Sequence, residues 1–242
     1  MKAKTKKIII IGATSGIGRE MALLYLNQGH RVGITGRRSG LLDEIKSQFP
    51  EQVLTSCFDV QATDLLIHLD DINKKLNGFD LLIYNAGVGY PSKELNIESE
   101  IKTTLTNVNG FVAVANYAFM HFLQQGYGQL AAITSIAGLQ GNSWTPAYSA
   151  SKAFASNYAQ SLNMKAFRMQ ANIAVTDIRP GFINTKEAEG YKRFWAASPE
   201  KAAKQIINAI EKKRRVAYVT KRWWLVAHLL KVLPYSLAKR IL

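Results

Sequence analysis

The sequence contains a single cysteine among its 242 residues, which excludes a scaffold held together by disulfides. Because Cys57 cannot pair within the chain, we expect a reducing compartment such as the cytoplasm. The four histidines have no carboxylate or cysteine partner at metal-ligand spacing, and we predict no metal site. A signal peptide is not expected either, because the apolar run Ile8–Ile11 is too short for one.

Acidic residues are also scarce, with 17 Asp and Glu against 31 Lys and Arg, so that the net charge is +14. From position 212 to the end there are nine Lys or Arg and no acidic residue. This imbalance suggests an anionic partner, either a membrane or a nucleic acid. The apolar content of 48% is nonetheless typical of a globular chain, and the length suits one domain.

Strand and helix patterns alternate along the chain. Short apolar or β-branched runs predict strands at 7–11, 31–35, 53–58, 79–84, 130–134, 172–178 and 215–220. Helical spacing predicts a helix after the first strand and others at 41–49, 61–76, 97–125, 146–169 and 199–212. Without linkers or repeats, this order predicts an α/β fold, a Rossmann-type doubly wound parallel sheet in a single domain. The domain would span residues 1–220, with a basic amphipathic tail at 221–242.

A glycine-rich turn joins the first strand to the first helix. Its residues are Gly12, Ala13, Thr14, Ser15, Gly16, Ile17 and Gly18, with the spacing G-x-x-x-G-x-G. Glycines let the backbone approach a pyrophosphate, whose charge lies at the helix N-terminus. The turn therefore predicts a nucleotide-binding cradle.

The second strand ends where the adenine ribose of a dinucleotide arrives. An acidic residue there would bind the ribose hydroxyls and repel a 2′-phosphate, but the chain has Gly36 followed by two arginines. We expect Arg37 to clamp a 2′-phosphate, with Arg38 stacking on adenine or assisting. NADP(H) is thus favoured over NAD(H).

The next two strands also end in polar or small residues. Asp59 and Val60 follow the third strand, where Asp59 could accept from the adenine amino group or equally cap the next helix. Asn85, Ala86 and Gly87 end the fourth strand, where the small pair leaves room for ribose or nicotinamide. Asn85 could also simply satisfy loop backbone.

Tyr148 and Lys152 stand four residues apart and would share one face of a helix. A phenol has a reference pKa of ~10, and a nearby ammonium favours the phenolate and lowers that pKa. Tyr148 is therefore a candidate proton donor and Lys152 the group that tunes it. Alone, such a pair is more often a solvated helix start, so its meaning depends on the motifs upstream.

Taken in order, these motifs resemble the short-chain dehydrogenase/reductase family over nearly all of residues 7–220. The matching residues are Gly12, Gly16, Ile17, Gly18, Asp59, Val60, Asn85, Ala86, Gly87, Asn107, Gly110, Ser135, Tyr148, Lys152, Pro180, Gly181 and Thr185. The family often has Thr before the first glycine, whereas this chain has Ile11. We expect this departure to affect one hydrogen bond of the loop but not the binding of the cofactor.

The resemblance implies an oxidoreductase in which Tyr148 exchanges a proton with the substrate oxygen. Lys152 would lower the pKa of Tyr148 and hydrogen-bond the nicotinamide ribose, while Ser135 would hydrogen-bond the same substrate oxygen. Asn107 would hold a water that links Lys152 to solvent; it is preferred to Asn109 because N-x-x-G is the family pattern. The nicotinamide side would be lined by Pro180, Gly181, Ile183 and Thr185.

Aromatic and apolar side chains lie in and around the expected substrate loop at 186–198. They are Tyr90, Leu139, Trp144, Phe182, Tyr191, Phe194 and Trp195. A mouth of this kind suits a hydrophobic carbonyl or alcohol, such as a steroid or fatty-acyl molecule. The same aromatics could instead pack the loop down or build a subunit interface.

The tail carries a dense apolar block at 223–230 flanked by Lys and Arg. A spanning helix needs ~20 apolar residues, and His228, Lys231 and Pro234 interrupt this block. We expect a helix that lies in the membrane interface, at the inner face, or one that packs on a neighbouring subunit of a homodimer or homotetramer. Nucleic acid is not expected as a partner, because no recognised binding module accompanies the charge.

The leading functional hypothesis is an NADP(H)-dependent oxidoreductase that interconverts a carbonyl and a secondary alcohol. The alternative is a catalytically idle NADP(H)-binding sensor or scaffold, docked to membranes or partners by the basic tail. The presence of Asn107, Ser135, Tyr148 and Lys152 together argues against it, because a protein that only binds the cofactor would not need all four.

Overall fold

Seven parallel strands form the centre of the computed structural model, which describes residues 5–91, 94–184 and 195–241. The strands are β1 (Lys7–Ile11), β2 (Arg31–Gly36), β3 (Val53–Cys57), β4 (Leu81–Tyr84), β5 (Tyr127–Ile133), β6 (Asn172–Pro180) and β7 (Val216–Val219). Their order in the sheet is β3-β2-β1-β4-β5-β6-β7. The predicted α/β class with a doubly wound parallel sheet is confirmed.

Helices cover both faces of the sheet. They are α1 (Gly16–Asn27), α2 (Ser39–Gln48), α3 (Leu65–Leu76), α4 (Ile97–Thr104), α5 (Phe111–Gln125), α6 (Pro146–Arg168), α7 (Pro199–Glu211), α8 (Trp223–Val232) and α9 (Tyr235–Ile241). A π-helical turn (Leu105–Gly110) joins α4 to α5, and a 3₁₀ turn (Ile136–Leu139) follows β5.

The core is divided by the sheet into two apolar layers. Ile8 and Ile10 of β1 pack in one layer with side chains of α1, α2 and α7. Ile9 and Ile11 pack in the other with side chains of α3, α5 and α6. All four are fully buried, because a parallel strand covered by helices on both sides must be apolar at every position.

Two predicted helices differ from those observed. The helix expected at 61–76 begins at Leu65, because Asp59 accepts from the Gln61 and Ala62 amides in a turn before it. Asp59 is therefore not the cap of α3, a position that Asp64 occupies. The helix expected at 97–125 is divided by the π-helical turn, which the apolar periodicity could not indicate.

The C-terminal segment contacts the body of the protein through one side of α8. Trp223 and Ala227 are buried, whereas Trp224, Leu225 and Leu229 are exposed. Gln140 of the 3₁₀ region donates to the Leu230 carbonyl, at 2.8 Å. In the described ranges, no helix combines the length and apolarity needed to cross a membrane. The division into a domain at 1–220 and a tail stays a prediction.

Candidate active site

The glycine turn lies against the end of β4, at the point where the strand order reverses. The Asn85 side-chain amide donates to the Gly12 carbonyl at 2.7 Å, and the Asn85 backbone amide donates to Ile11. A Cβ atom on Gly18 would stand 2.1 Å from the Gly12 carbonyl oxygen. Gly12 itself has a φ of +86°. Gly12 and Gly18 thus leave no space for a side chain, and the turn leads into the α1 N-terminus, where an anionic ligand can bind.

Arg38 reaches across this turn. Its guanidinium donates to the Thr14 and Ser15 hydroxyls, each at 2.7 Å. It forms no ion pair with a carboxylate in the described part of the chain. An unneutralised guanidinium beside a helix N-terminus matches a phosphate group, so the residues present fit a 2′-phosphorylated dinucleotide.

Arg37 lies near the ends of β2 and β3. Its guanidinium is 3.4 Å from the Asp59 carboxylate, and both side chains are more than a third exposed. A pair this exposed is weak, so Arg37 can exchange Asp59 for a stronger anion. Val60, the other residue expected here, is buried against Gly110 of the π-helical turn.

Lys152 is buried in the first turns of α6, behind the Asn85–Gly87 segment. Its ammonium donates to the Ile133 carbonyl at 3.0 Å, and a Cβ atom on Gly87 would be 3.1 Å from it. Burial lowers the pKa of Lys152 to about 8, against a smaller opposing effect of Asp177. The chain thus holds a cation with a shifted pKa at the carboxyl edge of the sheet, a combination common at functional sites.

Asn107 is held in place by the π-helical turn. Its side-chain amide donates to the Val88 carbonyl at 2.8 Å and to the Ser151 hydroxyl at 2.9 Å, and its oxygen accepts from the Val88 amide. Asn107 is buried, whereas Asn109 is exposed. The structure therefore separates two amides that local sequence could not distinguish, and it brings only Asn107 next to Gly87.

Tyr148 is half-buried, with its ring centroid 5.6 Å from the Lys152 ammonium. A Cβ atom on Gly89 would be 2.5 Å from this ring, so Gly89 allows the β4 loop to cover the tyrosine. Ser135 follows β5; its hydroxyl accepts from the Ala137 amide at 3.1 Å and lies 3.5 Å from the Pro180 carbonyl. Tyr148, Lys152, Ser135 and Asn107 thus come from adjacent elements at one edge of the sheet.

The segment after β6 meets the C-terminal helix. Gly181 hydrogen-bonds through its amide to Val219, and a Cβ atom on it would be 2.2 Å from the Trp223 indole. Ile183 is buried and forms a β-bridge with Ala197. Thr185, expected beside the nicotinamide, lies outside the described residues, as do Tyr191 and Phe194 of the expected mouth.

The described mouth aromatics gather around Trp223. Phe182 and Trp195 each pack edge-on against its ring, at centroid distances of 5.3 and 6.2 Å. Trp144 is more exposed, Tyr90 lies 5.8 Å from the Lys102 ammonium and Leu139 is half-buried. Trp223 belongs to the predicted tail, and no motif of the sequence indicates the contacts of Val88, Gly89 and Ser151. No local pattern marks these residues, because their roles depend on contacts across the fold.

No group of three or more His, Cys, Asp or Glu side chains is placed to hold a metal ion in the part of the chain that the structure describes. The chemistry-bearing groups there are instead a glycine turn with two arginines and a buried lysine beside a tyrosine. Together with the doubly wound sheet, they define a dinucleotide-binding α/β protein.

Comparison with known proteins gives this class a family. The family model described as short chain dehydrogenase matches residues 6–215, and the chain belongs to that family of oxidoreductases. The resemblance stated from the motifs is therefore confirmed.

Individual relatives are similar over most of their length. A probable NADP-dependent dehydrogenase of Haemophilus influenzae is 28% identical over 205 residues, which cover 83% of this chain and 80% of the relative. An NADP-dependent 3-hydroxy acid dehydrogenase of Salmonella typhi is 27% identical, with coverages of 83% and 81%. The crystal structure of a 3-ketoacyl-(acyl-carrier-protein) reductase from Brucella melitensis complexed with NADH has a TM-score of 0.81 at 20% identity, covering 88% of this chain and 96% of that one. The last likeness shows the fold.

Proposed function

We propose that the protein is an NADP(H)-dependent oxidoreductase that interconverts a carbonyl and a secondary alcohol on an apolar, lipid-like substrate. The observation that carries this proposal is the buried Lys152 ammonium, packed between Asn107, Gly87 and the Tyr148 ring. Burying a cation is costly and needs compensation elsewhere. A catalytic role for the Tyr148–Lys152 pair accounts for keeping it.

In this proposal, Tyr148 donates a proton to the carbonyl oxygen during reduction and accepts one from the alcohol during oxidation. Lys152 stabilises the phenolate that remains after donation, and the Ser135 hydroxyl hydrogen-bonds the substrate oxygen as charge develops on it. Asn107 positions the Val88–Gly89 backbone over Tyr148 and connects the lysine to solvent through a water. When bound, the nicotinamide supplies or accepts the hydride.

The cofactor would be held by residues 12–18 and by the two arginines. The backbone of the glycine turn would face the pyrophosphate, and Arg38 and Arg37 would bind a 2′-phosphate; the bonds of Arg38 to the Thr14 and Ser15 hydroxyls support this role. Asn85, Ala86 and Gly87 would line the ribose, and Pro180, Gly181, Ile183 and Thr185 the nicotinamide. The two relatives whose names state NADP dependence support this choice of cofactor.

The substrate class is proposed from the aromatic mouth. Phe182 and Trp195 are exposed and pack on the buried Trp223, so that they form an apolar surface next to Gly181. Such a surface favours an apolar chain or ring beside the reacting carbon. A relative named as a 3-hydroxy acid dehydrogenase supports an alcohol-to-carbonyl reaction.

We propose further that the enzyme is a cytoplasmic homodimer or homotetramer that contacts the inner face of a membrane. The lone Cys57, which is exposed and unpaired, suits a reducing compartment. Exposed apolar residues on α6, such as Met164 and Phe167, are available for a subunit contact. The basic C-terminal helices supply the membrane contact.

The reaction is tested by assaying NADPH oxidation with a panel of apolar ketones and 3-oxo acids. Tyr148→Phe should lower kcat by roughly 100-fold or more, because proton transfer is lost, while NADPH affinity stays unchanged. The matched control is Tyr158→Phe on the same helix, which should retain activity. A wild-type protein that binds NADPH but turns over no substrate would support the idle binding protein instead.

The cofactor assignment is tested by titrating NADPH and NADH into the wild type, Arg37→Ala and Arg38→Ala. Each variant should lose roughly 10-fold or more in NADPH affinity, as expected for one charge-assisted bond, with little change for NADH. Arg31→Ala, at the opposite end of β2, is the control. Equal wild-type affinity for the two cofactors would contradict a 2′-phosphate clamp.

A further inference from the structure

The helix α8 has two apolar faces, and the residues that the structure describes cover one of them. Trp223, Ala227 and Leu230 recur at helical spacing and face the body. Leu225, Leu229 and Val232 recur at the same spacing on the opposite side and are 65%, 65% and 75% exposed. We call this second row the outer face of α8. Large apolar side chains exposed together in this way mark an interaction surface.

The helix α9 extends this surface beyond a turn at Pro234. Tyr235 and Leu237 are 81% and 48% exposed, while Ala238 is buried and anchors the helix. Lys239 and Arg240 are exposed in the same helix. The surface therefore mixes aliphatic, aromatic and cationic groups, as amphipathic helices at a membrane interface do.

A cavity of about 680 Å³ lies beside α8, between α6 and the start of β7. Besides Arg179, four cationic side chains line it, along with the aromatic rings of Trp224 and His228; the four are Arg214, Arg215, Lys221 and Lys231. None of the four forms an ion pair with any residue that the structure describes.

The one carboxylate in the cavity does not neutralise these cations. Asp177 accepts from the Arg179 guanidinium at 2.7 Å and from the Thr134 hydroxyl at 2.6 Å. The Asp177–Arg179 pair is nearly buried and cancels its own charge. The cavity therefore keeps four uncompensated positive charges and would attract an anion.

The cavity and the outer face of α8 are neighbours on the same helix. Trp224, His228 and Lys231 stand at helical spacing on the flank between the outer face and the body, and all three line the cavity. Trp224 is 53% exposed and packs against His228 with the two rings tilted, at a centroid distance of 4.1 Å. Tryptophan and lysine are the side chains that settle at the headgroup level of a bilayer, with apolar residues deeper.

We infer that this surface binds an anionic phospholipid bilayer, with Leu225, Leu229 and Val232 in the acyl region and lipid phosphates in the Arg214–Lys231 cavity. The inference deepens the proposed membrane contact and does not depend on the reaction. A second copy of the chain seated on the same face is a poor occupant, because it would bring two sets of uncompensated cations together. A nucleic acid would not explain the aliphatic outer face of α8, because nucleic acids are bound through cationic and aromatic side chains.

The test is co-sedimentation of the full-length protein with vesicles of phosphatidylcholine alone or with about 30% phosphatidylglycerol, at about 100 mM salt. We expect binding to the anionic vesicles that is at least tenfold stronger than to the neutral ones. Lys221→Gln combined with Lys231→Gln should weaken anionic binding by roughly tenfold or more. Leu225→Ser combined with Leu229→Ser should have a similar effect.

Matched controls on α3 and α4 distinguish binding through this surface from nonspecific electrostatic or hydrophobic adsorption. Leu66→Ser with Ile67→Ser removes apolar groups that are 50% and 70% exposed, and Lys74→Gln with Lys102→Gln removes two exposed cations. Both controls should bind within about twofold of the wild type. NADPH affinity, unchanged in every variant, shows that each one is folded and leaves the oxidoreductase proposal separately testable.

Three results would overturn the inference. The first is equal binding to neutral and anionic vesicles, or binding to neither. The second is binding of a labelled single-stranded RNA that is tighter than vesicle binding and is lost in the Lys221→Gln, Lys231→Gln variant. The third is self-association in sedimentation that disappears in the Leu225→Ser, Leu229→Ser variant, which would assign the outer face of α8 to a subunit contact.

Discussion

Lys152 carries its positive charge at a buried position, where a charge is costly. It is buried at the carboxyl edge of the sheet, and its ammonium has one carbonyl partner, Ile133, among the described residues. Desolvation favours the neutral amine and lowers the lysine pKa to about 8. Below that pH, the folded protein holds a charge that the unfolded chain would hold more easily. The charge of this residue thus lowers stability, a cost that the proposed catalytic role would explain.

Replacing Lys152 by Met should separate these two effects. The fall in the lysine pKa from 10.5 to about 8 means that the buried charge destabilises the wild type by ~3 kcal/mol. The substitution removes this cost, but it also removes the hydrogen bond to Ile133, which contributes ~1 kcal/mol. We therefore expect Lys152→Met to raise the free energy of unfolding at pH 7 by roughly 2 kcal/mol, while kcat falls at least ~100-fold.

The pH dependence of this gain follows from proton binding. Between pH 8 and 10.5 the unfolded wild-type chain keeps a proton that the folded lysine has lost, so wild-type stability rises with pH in this window. The advantage of Lys152→Met should shrink from pH 7 to pH 10. Urea denaturation at both pH values measures it, with Lys165→Met, an exposed position on α6, as control. An advantage that does not change with pH would refute the buried charge.

Among the elements, the π-helical turn positions Asn107. Asn is unfavourable inside a helix, so a regular helix through 97–125 does not explain the two asparagines in this segment. The π-helical turn is closed by the Tyr84 hydroxyl, which donates to the Thr106 carbonyl at 2.6 Å, and by Gly110, which lies against Tyr84 and Val60. The turn places the Asn107 side chain in hydrogen-bonding contact with the Val88 backbone and leaves Asn109 at the surface. Such local helix widenings are frequent at functional sites.

Gly110→Ala should disturb this turn without touching the substrate. The added methyl would stand 2.9 Å from the Tyr84 hydroxyl and 3.0 Å from Val60. We expect a loss of ~1–3 kcal/mol in the free energy of unfolding from overpacking, with a lower kcat as Asn107 shifts. Denaturation and steady-state kinetics measure both effects.

Gly40→Ala is the matched control for this substitution. Gly40 lies in α2 with no atom near its Cβ position, so the change should stabilise the helix by up to ~1 kcal/mol and leave kcat unchanged. If Gly110→Ala behaves like Gly40→Ala, the turn has no positioning role.

At the scale of the whole molecule, the net charge of +14 acts on every anionic ligand. Part of this charge lies at the glycine turn, in Arg37 and Arg38, and part at the C-terminal helices. A surface of one sign accelerates the arrival of oppositely charged ligands and is screened by salt. The same field would assist both the proposed cofactor and the proposed membrane.

The rate of NADPH association should therefore fall as salt is raised. From ~20 to ~300 mM salt we expect a decrease of roughly 3- to 10-fold, because the Debye length shortens from ~20 to ~6 Å. NADH, which lacks the 2′-phosphate, should be less sensitive. Stopped-flow fluorescence measures both rates, and identical salt dependence for the two cofactors would exclude steering through the 2′-phosphate.

Much of the fold was determined by the sequence alone. The run Ile8–Ile11 predicts a doubly covered parallel strand, because only a strand buried on both faces is apolar throughout. The G-x-x-x-G-x-G turn after it and the later strand ends bring the expected site residues to one edge, since parallel strands all end on the same side. The fold class and the family were thereby predicted from the sequence, with errors of a few residues at element boundaries, whereas the strand order came from the structure.

Tertiary structure decided what depends on distant contacts. Asn107 and not Asn109 is buried next to Gly87, where it donates to Ser151, 44 residues away in the chain. The helix α8 is held on the body in part by a hydrogen bond from Gln140, which is 90 residues away from its partner Leu230. Trp223 reads as tail in the sequence, yet it packs on Gly181 next to the proposed nicotinamide side. Periodicity reports which face of a helix is apolar, but only packing determines what that face meets, because the partner lies elsewhere in the chain.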